Sequence, residues 1–252
     1  MQKDPIEQFR VEAIERAKSY QNNEELQRTW QNFLEQIVKA KYAYNFFWLG
    51  VPIIQAPQDL QAMQEIIWEV KPDLIIETGI AWGGSIVFSA SMLAILEACG
   101  KIEHGKVVGI DTDIRPHNKK AILAHPLSSK ITMIEGSSTD KAIVRQVMEI
   151  AKTKKRVLAC LDSNHTHDHV LGELRAYAPM ISVGSYFVVG DTGVEDLPSG
   201  TTDKDRPWGK GNNPKTAVWE FLKENKDFEI DKSIDSKLII TGSPDGYLKR
   251  VR

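Results

Sequence analysis

The chain has 252 residues, of which 42% are hydrophobic, 26% charged and 8% aromatic. These proportions are ordinary for a globular protein and exclude a collagen-like, disordered or disulfide-scaffold chain. At this length roughly 70–75% of the unfolded surface can be buried, so a core needs no covalent staples. The 32 basic and 34 acidic residues leave a net charge of −2, which argues against broad nucleic-acid binding, a function that needs a surplus of Lys and Arg.

Cys99 and Cys160 each sit in an apolar stretch and are expected as buried free thiols in a reducing compartment. The first twenty residues are charged throughout, without the apolar segment of a secretory signal. No uncharged run approaches the roughly 20 residues of a membrane span. A cytoplasmic protein without membrane association is expected.

From Asp4 to about Tyr44 apolar residues recur at three- and four-residue spacings among charges, the pattern of helices. The aromatic stretch from Tyr42 to Leu49 reads as a helix end packed on the core, or alternatively as a lid or oligomer contact. Pro57 opens another amphipathic helix that ends before Lys71-Pro72. These first 70 residues form an expected helical extension, and residues 71–252 the main domain.

After Pro72, apolar β-rich runs alternate with helical segments five times: strands end at Glu77, Asp111, Glu135, Asp162 and Asp191. The strands are too continuously apolar to have a wet face, which predicts an α/β, doubly wound, mostly parallel sheet covered on both sides. The Gly-, Pro- and charge-rich segment from Gly193 to Pro214 is long enough to be a functional loop. A last helix precedes two closing strands, around Glu229 and in the segment from Lys237 to Val251, with Ser243-Pro244-Asp245-Gly246 as a hairpin turn between its halves.

In open α/β sheets ligands bind beyond the carboxyl ends of the strands. The first crossover, Glu77-Thr78-Gly79-Ile80-Ala81-Trp82-Gly83-Gly84-Ser85, lets backbone approach a ligand closely. Its glycines do not follow G-x-G-x-x-G, so the diphosphate cradle of a NAD-linked oxidoreductase is incomplete. A carboxylate ahead of the first glycine repels a diphosphate but suits the ammonium group of S-adenosylmethionine. Candidate donor-binding residues are Glu77, Gly79, Ala81, Gly83, Ser85, Asp111 for the ribose hydroxyls, Ser137 and Ser138 near the adenine, and Asp162.

The fourth strand end, Asp162-Ser163-Asn164-His165-Thr166-His167-Asp168-His169, is the densest polar cluster. It matches no common zinc spacing. Asp162 and Asp191, on neighbouring strand ends, suit a partly hydrated Mg²⁺, and His165 can take the proton of an acceptor hydroxyl. His167 and His169 are expected on the helix surface or in capping roles. Arg206 and Trp208 sit in the long loop as candidate closing residues.

At LIIETGIAWGGSIVFSASML, VVGIDTDIRP, EGSSTD, LDSNHTHDHVLGELRAYAPMISVGSYFVVGDT and NPKTAVWEFL, the chain resembles the cephalosporin hydroxylase-like family. That family belongs to the class I S-adenosylmethionine-dependent methyltransferases and is related to macrolide-sugar O-methyltransferases. The resemblance runs from about Phe46 to the C-terminus. It implies a seven-stranded Rossmann-like sheet with one antiparallel strand, S-adenosylmethionine as donor and usually Mg²⁺. Residue by residue, Glu77, Gly79, Asp111 and Ser138 resemble donor-binding positions, Asp162 and Asp191 metal ligands, and His165 a general base.

Metal-dependent relatives carry a second carboxylate just before Asp191, where this chain has Gly190. The expected activity is O-methyl transfer to a hydroxyl of a sugar or polyol-like small molecule by a homo-oligomer. The alternatives are a partner-dependent component of a hydroxylation or methoxylation system, a non-catalytic member that keeps only the donor pocket, and an NAD-dependent oxidoreductase.

Overall fold

The computed structural model describes residues 4–198, 200–201 and 205–252. Two helices lead the chain, α1 (Pro5–Gln21) and α2 (Glu24–Lys39). Each starts on a side-chain cap: Asp4 accepts from the Ile6 amide and Asn23 from the Leu26 amide, both at 3.0 Å. A 3₁₀ turn at Tyr42–Asn45 follows, and then a short antiparallel hairpin of β1 (Phe46–Trp48) and β2 (Val51–Ile53). The aromatic stretch expected as a helix end is thus partly strand. Leu49 and Gly50, both with positive φ, make the two-residue reversal that a helix does not accommodate. Trp48 packs edge-on against Phe88, while Phe47 is exposed.

The main sheet contains β3 (Leu74–Thr78), β4 (Lys106–Asp111), β5 (Ile131–Glu135), β6 (Val157–Leu161), β7 (Tyr186–Val189), β8 (Phe228–Ile230) and β9 (Tyr247–Arg250). Their order is β5-β4-β3-β6-β7-β9-β8, and β9 alone runs antiparallel to both neighbours. The chain winds outward from β3 to β5, then returns to the other side of β3 at β6. That reversal opens a crevice above the carboxyl ends of β3 and β6.

The helices α3 (Pro57–Val70), α4 (Gly84–Ala98), α5 (Pro116–Ala124), α6 (Lys141–Ala151), α7 (His167–Tyr177), α8 (Pro214–Glu224) and α9 (Lys232–Leu238) cover the sheet. The period-2 geometry of the strands sends alternate residues to opposite layers. Leu74 and Ile76 enter a core shared with α6, α7 and α8, whereas Ile75 enters one shared with α3, α4 and Ile122 of α5. Each such buried aliphatic side chain contributes about 1.5–3 kcal/mol relative to exposure. Every strand of the parallel set is therefore apolar on both faces, and the polar residues gather at its ends.

Two further expectations are corrected. Ser243–Gly246 does form a turn, with the Gly246 amide donating to the Ser243 carbonyl at 2.8 Å, but it closes no local hairpin. Residues 232–238 are helical as α9, capped by Asp231, so β9 pairs with the earlier β8 instead. Cys160 is partly covered, whereas Cys99 ends α4 and is exposed rather than buried. Among the described residues, no helix is long and apolar enough to cross a membrane.

Candidate functional site

The loop after β3 is built around one close approach. Gly79 has φ +89°, and a Cβ on it would lie 2.1 Å from the carbonyl oxygen of Asp162. Only glycine lets the crossover pass the end of β6. Gly83, also at positive φ, opens α4, and Ala81 adopts the same left-handed conformation without the freedom of glycine. That conformation is held from outside. The Asp111 carboxylate accepts from the amides of Ile80 at 2.8 Å and Ala81 at 3.2 Å, and the buried Asn118 on α5 donates to the Ala81 carbonyl at 2.6 Å.

Asp111 thus ends β4 with one oxygen fastening the loop and the other accepting the Asp113 amide at 3.1 Å. It lines a cavity of about 410 Å³ with Gly79, Gly136, Ser138, His165 and Trp208. This cavity lies over the carboxyl ends of β3, β4, β5 and β6, where the winding order places a ligand. Glu77, Ala81, Gly83, Ser85, Ser137, Asp162 and Asp191 stand outside its lining. Glu77 is 3% exposed and turns toward α4, where Ser89 donates to it. Burial pushes its carboxyl up to about 7 against the opposing pull of Ser89 and Ser85.

At the far end of the cavity, Nε2 of His165 lies 3.5 Å from Oδ2 of Asp191. His165 precedes α7, and its ring meets Trp208 edge-on at 5.0 Å between centroids. The Arg206 guanidinium lies over that same indole at 4.6 Å. Asp191 has φ +53°, a conformation that turns its side chain back beside β6. One donor atom from each of Asp162, His165 and Asp191 lies within 4.8 Å of the others. Burial, and then the neighbouring charges of Asp191, Glu77, Glu173 and Asp59, push the Asp162 carboxyl well above its ordinary range. Such a cluster of acids is relieved by a cation, and two carboxylates with open positions fit a hard, partly hydrated divalent ion.

The other two histidines depart from the expected surface roles. His167 is fastened to α8, its Nδ1 2.9 Å from the Thr216 hydroxyl and its Nε2 3.3 Å from Glu220. It holds the C-terminal end of the long loop beside α7, together with Asn212, which accepts from the His167 amide. His169 lines the cavity and joins a buried polar cluster with Ser138, Ser163 and Glu173.

Asn118 and Glu173 were not singled out in the sequence. The His169-x-x-x-Glu173 spacing does place both on one helix face. Asn118, two residues beyond Pro116, carries no such signal.

The geometry finds counterparts among known proteins. The family model described as rhamnosyl O-methyltransferase/CmcI matches residues 40–251. A rhamnosyl O-methyltransferase of Mycobacterium tuberculosis (strain ATCC 25618 / H37Rv) is 30% identical over 216 residues, covering 83% of this chain and 82% of its own. The enzyme of that name from Mycobacterium leprae (strain TN) is 28% identical over 205 residues, covering 81% and 82%. Among solved structures, CmcI with Mg and SAM superposes with a TM-score of 0.55 at 18% identity, covering 83% of this chain and 78% of that one.

Proposed function

The chain belongs to the rhamnosyl O-methyltransferase/CmcI family, and on that premise we propose that it transfers the methyl group of S-adenosylmethionine to a sugar hydroxyl, with a rhamnosyl or similar deoxyhexose unit as acceptor. The observation that carries this reading is the His165–Asp191 pair, 3.5 Å apart, whose histidine lines the same cavity as Gly79, Asp111 and Ser138. The curated relatives act, by their names, on rhamnosyl groups.

The donor lies along the carboxyl ends of β3 to β5. Asp111 receives the ribose hydroxyls, and the Gly79 backbone, which lines the cavity, meets the methionine portion. The acceptor oxygen forms a bond to the sulfonium methyl as the carbon–sulfur bond breaks, leaving S-adenosylhomocysteine, and its proton goes to the imidazole of His165, at the ring nitrogen that does not face Asp191. Asp191 orients that imidazole and stabilises the charge it acquires. Positioning for in-line attack supplies most of the acceleration, since the methyl group is already activated. Trp208 and Arg206 wall the acceptor side and limit the entry of water.

Asp162 and Asp191 are the residues that would hold Mg²⁺, their donor atoms lying within 4.8 Å of each other and of His165. A bound ion would supply Lewis acidity at the acceptor oxygen. A cytoplasmic homo-oligomer completes the reading. It is supported by the apolar face that α1 leaves open, where Ile6, Phe9 and Ile14 are all more than half exposed.

The test is calorimetry with S-adenosylmethionine, S-adenosylhomocysteine and NAD, with and without Mg²⁺, followed by transfer of labelled methyl to a panel of rhamnosides and other glycosides. Binding of the sulfur ligands and labelling of a glycoside are expected. Binding of NAD alone would overturn the reading.

A further inference from the structure

Glu173 is fully buried behind the wall of the cavity, and the transfer chemistry makes no use of it. Its Oε1 accepts the hydroxyl protons of Ser138 at 2.5 Å and Ser163 at 2.7 Å, while Oε2 has no partner among the described residues. A serine hydroxyl has a single proton, so in both residues it is committed to the carboxylate and only lone pairs face elsewhere.

Nε2 of His169 meets those same atoms: Ser138 Oγ at 3.0 Å, Ser163 Oγ at 3.2 Å and Glu173 Oε1 at 3.4 Å. Three acceptors surround it. Nε2 must therefore carry a proton, and in the neutral ring Nδ1 is left as a bare lone pair. Nδ1 makes no hydrogen bond to a described residue, and it is not among the buried polar atoms left unpaired. His169 and Ser138 both line the cavity, past the end of β5 where the fold directs the base of a nucleoside ligand.

We infer that Glu173, acting through Ser138 and Ser163, fixes His169 in the Nε2–H tautomer so that Nδ1 accepts a hydrogen bond from the exocyclic amino group of the donor's adenine. The cavity then distinguishes a 6-aminopurine, which donates at that position, from a 6-oxopurine, whose lone pairs oppose Nδ1. His169 is a specificity-determining residue and Glu173 a positioning residue. This assignment rests on the donor reading above and adds to it the atom that reads the base.

The experiment compares two ligands by calorimetry on the full chain: S-adenosylhomocysteine and its deaminated analogue, S-inosylhomocysteine. The wild type is expected to bind the adenine ligand at least about tenfold more tightly, the loss that accompanies an unmatched buried polar group. His169→Phe should lower affinity for the adenine ligand and leave the 6-oxo ligand almost unaffected, bringing the ratio near one. Glu173→Gln, which replaces an acceptor by a group that can also donate, should erode the ratio by freeing the tautomer.

Equal affinities in the wild type would overturn the inference, as would a His169→Phe protein weakened equally for both ligands. The wild-type ratio decides even where a variant fails to fold. If the wild type binds neither ligand, the donor reading itself falls, and this inference with it.

Discussion

Gly190 and Asp162 are packed so closely that a Cβ on the glycine would lie 2.6 Å from Oδ1 of the aspartate. The Asp162 carboxylate therefore occupies the space that a side chain at position 190 would claim. A side chain at position 190, a carboxylate included, would require the Asp162 carboxylate to move aside.

Gly190→Ala should cost about 1–3 kcal/mol through overpacking and displace the Asp162 carboxylate. Thermal denaturation and Mg²⁺ calorimetry check both effects, with a lower Tm and weaker Mg²⁺ binding expected. An alanine variant with the wild-type Tm and Mg²⁺ affinity would show that Asp162 has room to move.

His165→Ala should reduce kcat on a glycoside acceptor by about 10²–10⁴-fold, the usual range for loss of a positioned base. Affinity for S-adenosylhomocysteine should stay at its wild-type value, because the imidazole belongs to the acceptor end of the cavity. Parallel losses in donor affinity and turnover would place His165 in the donor site instead.

Asp111 serves the loop and the ligand with one carboxylate. Asp111→Ala should weaken S-adenosylhomocysteine by tenfold or more, an interaction scale of about 1.5–3 kcal/mol for hydrogen bonds to a charged group. It should also speed hydrogen exchange at the Ile80 and Ala81 amides, which lose their acceptor. Unchanged exchange would mean that Asn118 alone holds the loop.

The Glu77 carboxyl is raised from 4.5 to about 7 by burial, so folding favours its neutral form. A raised carboxyl contributes stability that is complete below its unfolded value and is lost as pH rises through the folded one. Between pH 4.5 and 7 this group therefore makes the protein progressively less stable. Glu77→Gln removes the titration and should be more stable than wild type by up to about 3 kcal/mol at pH 8. The difference should vanish as pH falls toward 4.5. Asp235 is raised in the same direction, first by burial and then by Asp245 against the pull of Lys232. It stays in both proteins, so its effect cancels in the comparison of denaturation curves.

The alternation of strands and helices after Pro72 was legible because a doubly covered sheet demands strands apolar on both faces. The acids at the ends of those strands were legible for the same reason: polar residues have nowhere else to gather. What the pattern could not convey was tertiary in origin. Phe46–Trp48 is as apolar as a helix end, and only its pairing with Val51–Ile53 makes it a strand. The β-branched run near Ile239 and Ile240 invited a strand, yet the antiparallel edge beside β7 was taken by Tyr247–Arg250. Among site residues, Glu77 sits ahead of the first glycine but turns inward to Ser89, on the face of β3 that it shares with Ile75. His169 reads in the sequence as a helix-surface or capping residue because its partners, Ser138 and Ser163, come from two other segments, beyond the ends of β5 and β6.

The contact between Gly79 and the Asp162 carbonyl has a consequence for how this scaffold can diversify. It locks the crossover of one strand to the end of the next, so the separation between the donor loop and the acid–imidazole cluster is fixed by backbone alone. No insertion or larger side chain at that crossing is compatible with the sheet. The segment between Gly193 and Pro214 touches the cavity through Arg206, Pro207 and Trp208, which lie outside that crossing and can vary with the acceptor proposed above. Lineages that share this crossing would keep one reaction distance and exchange only the wall that the sugar meets.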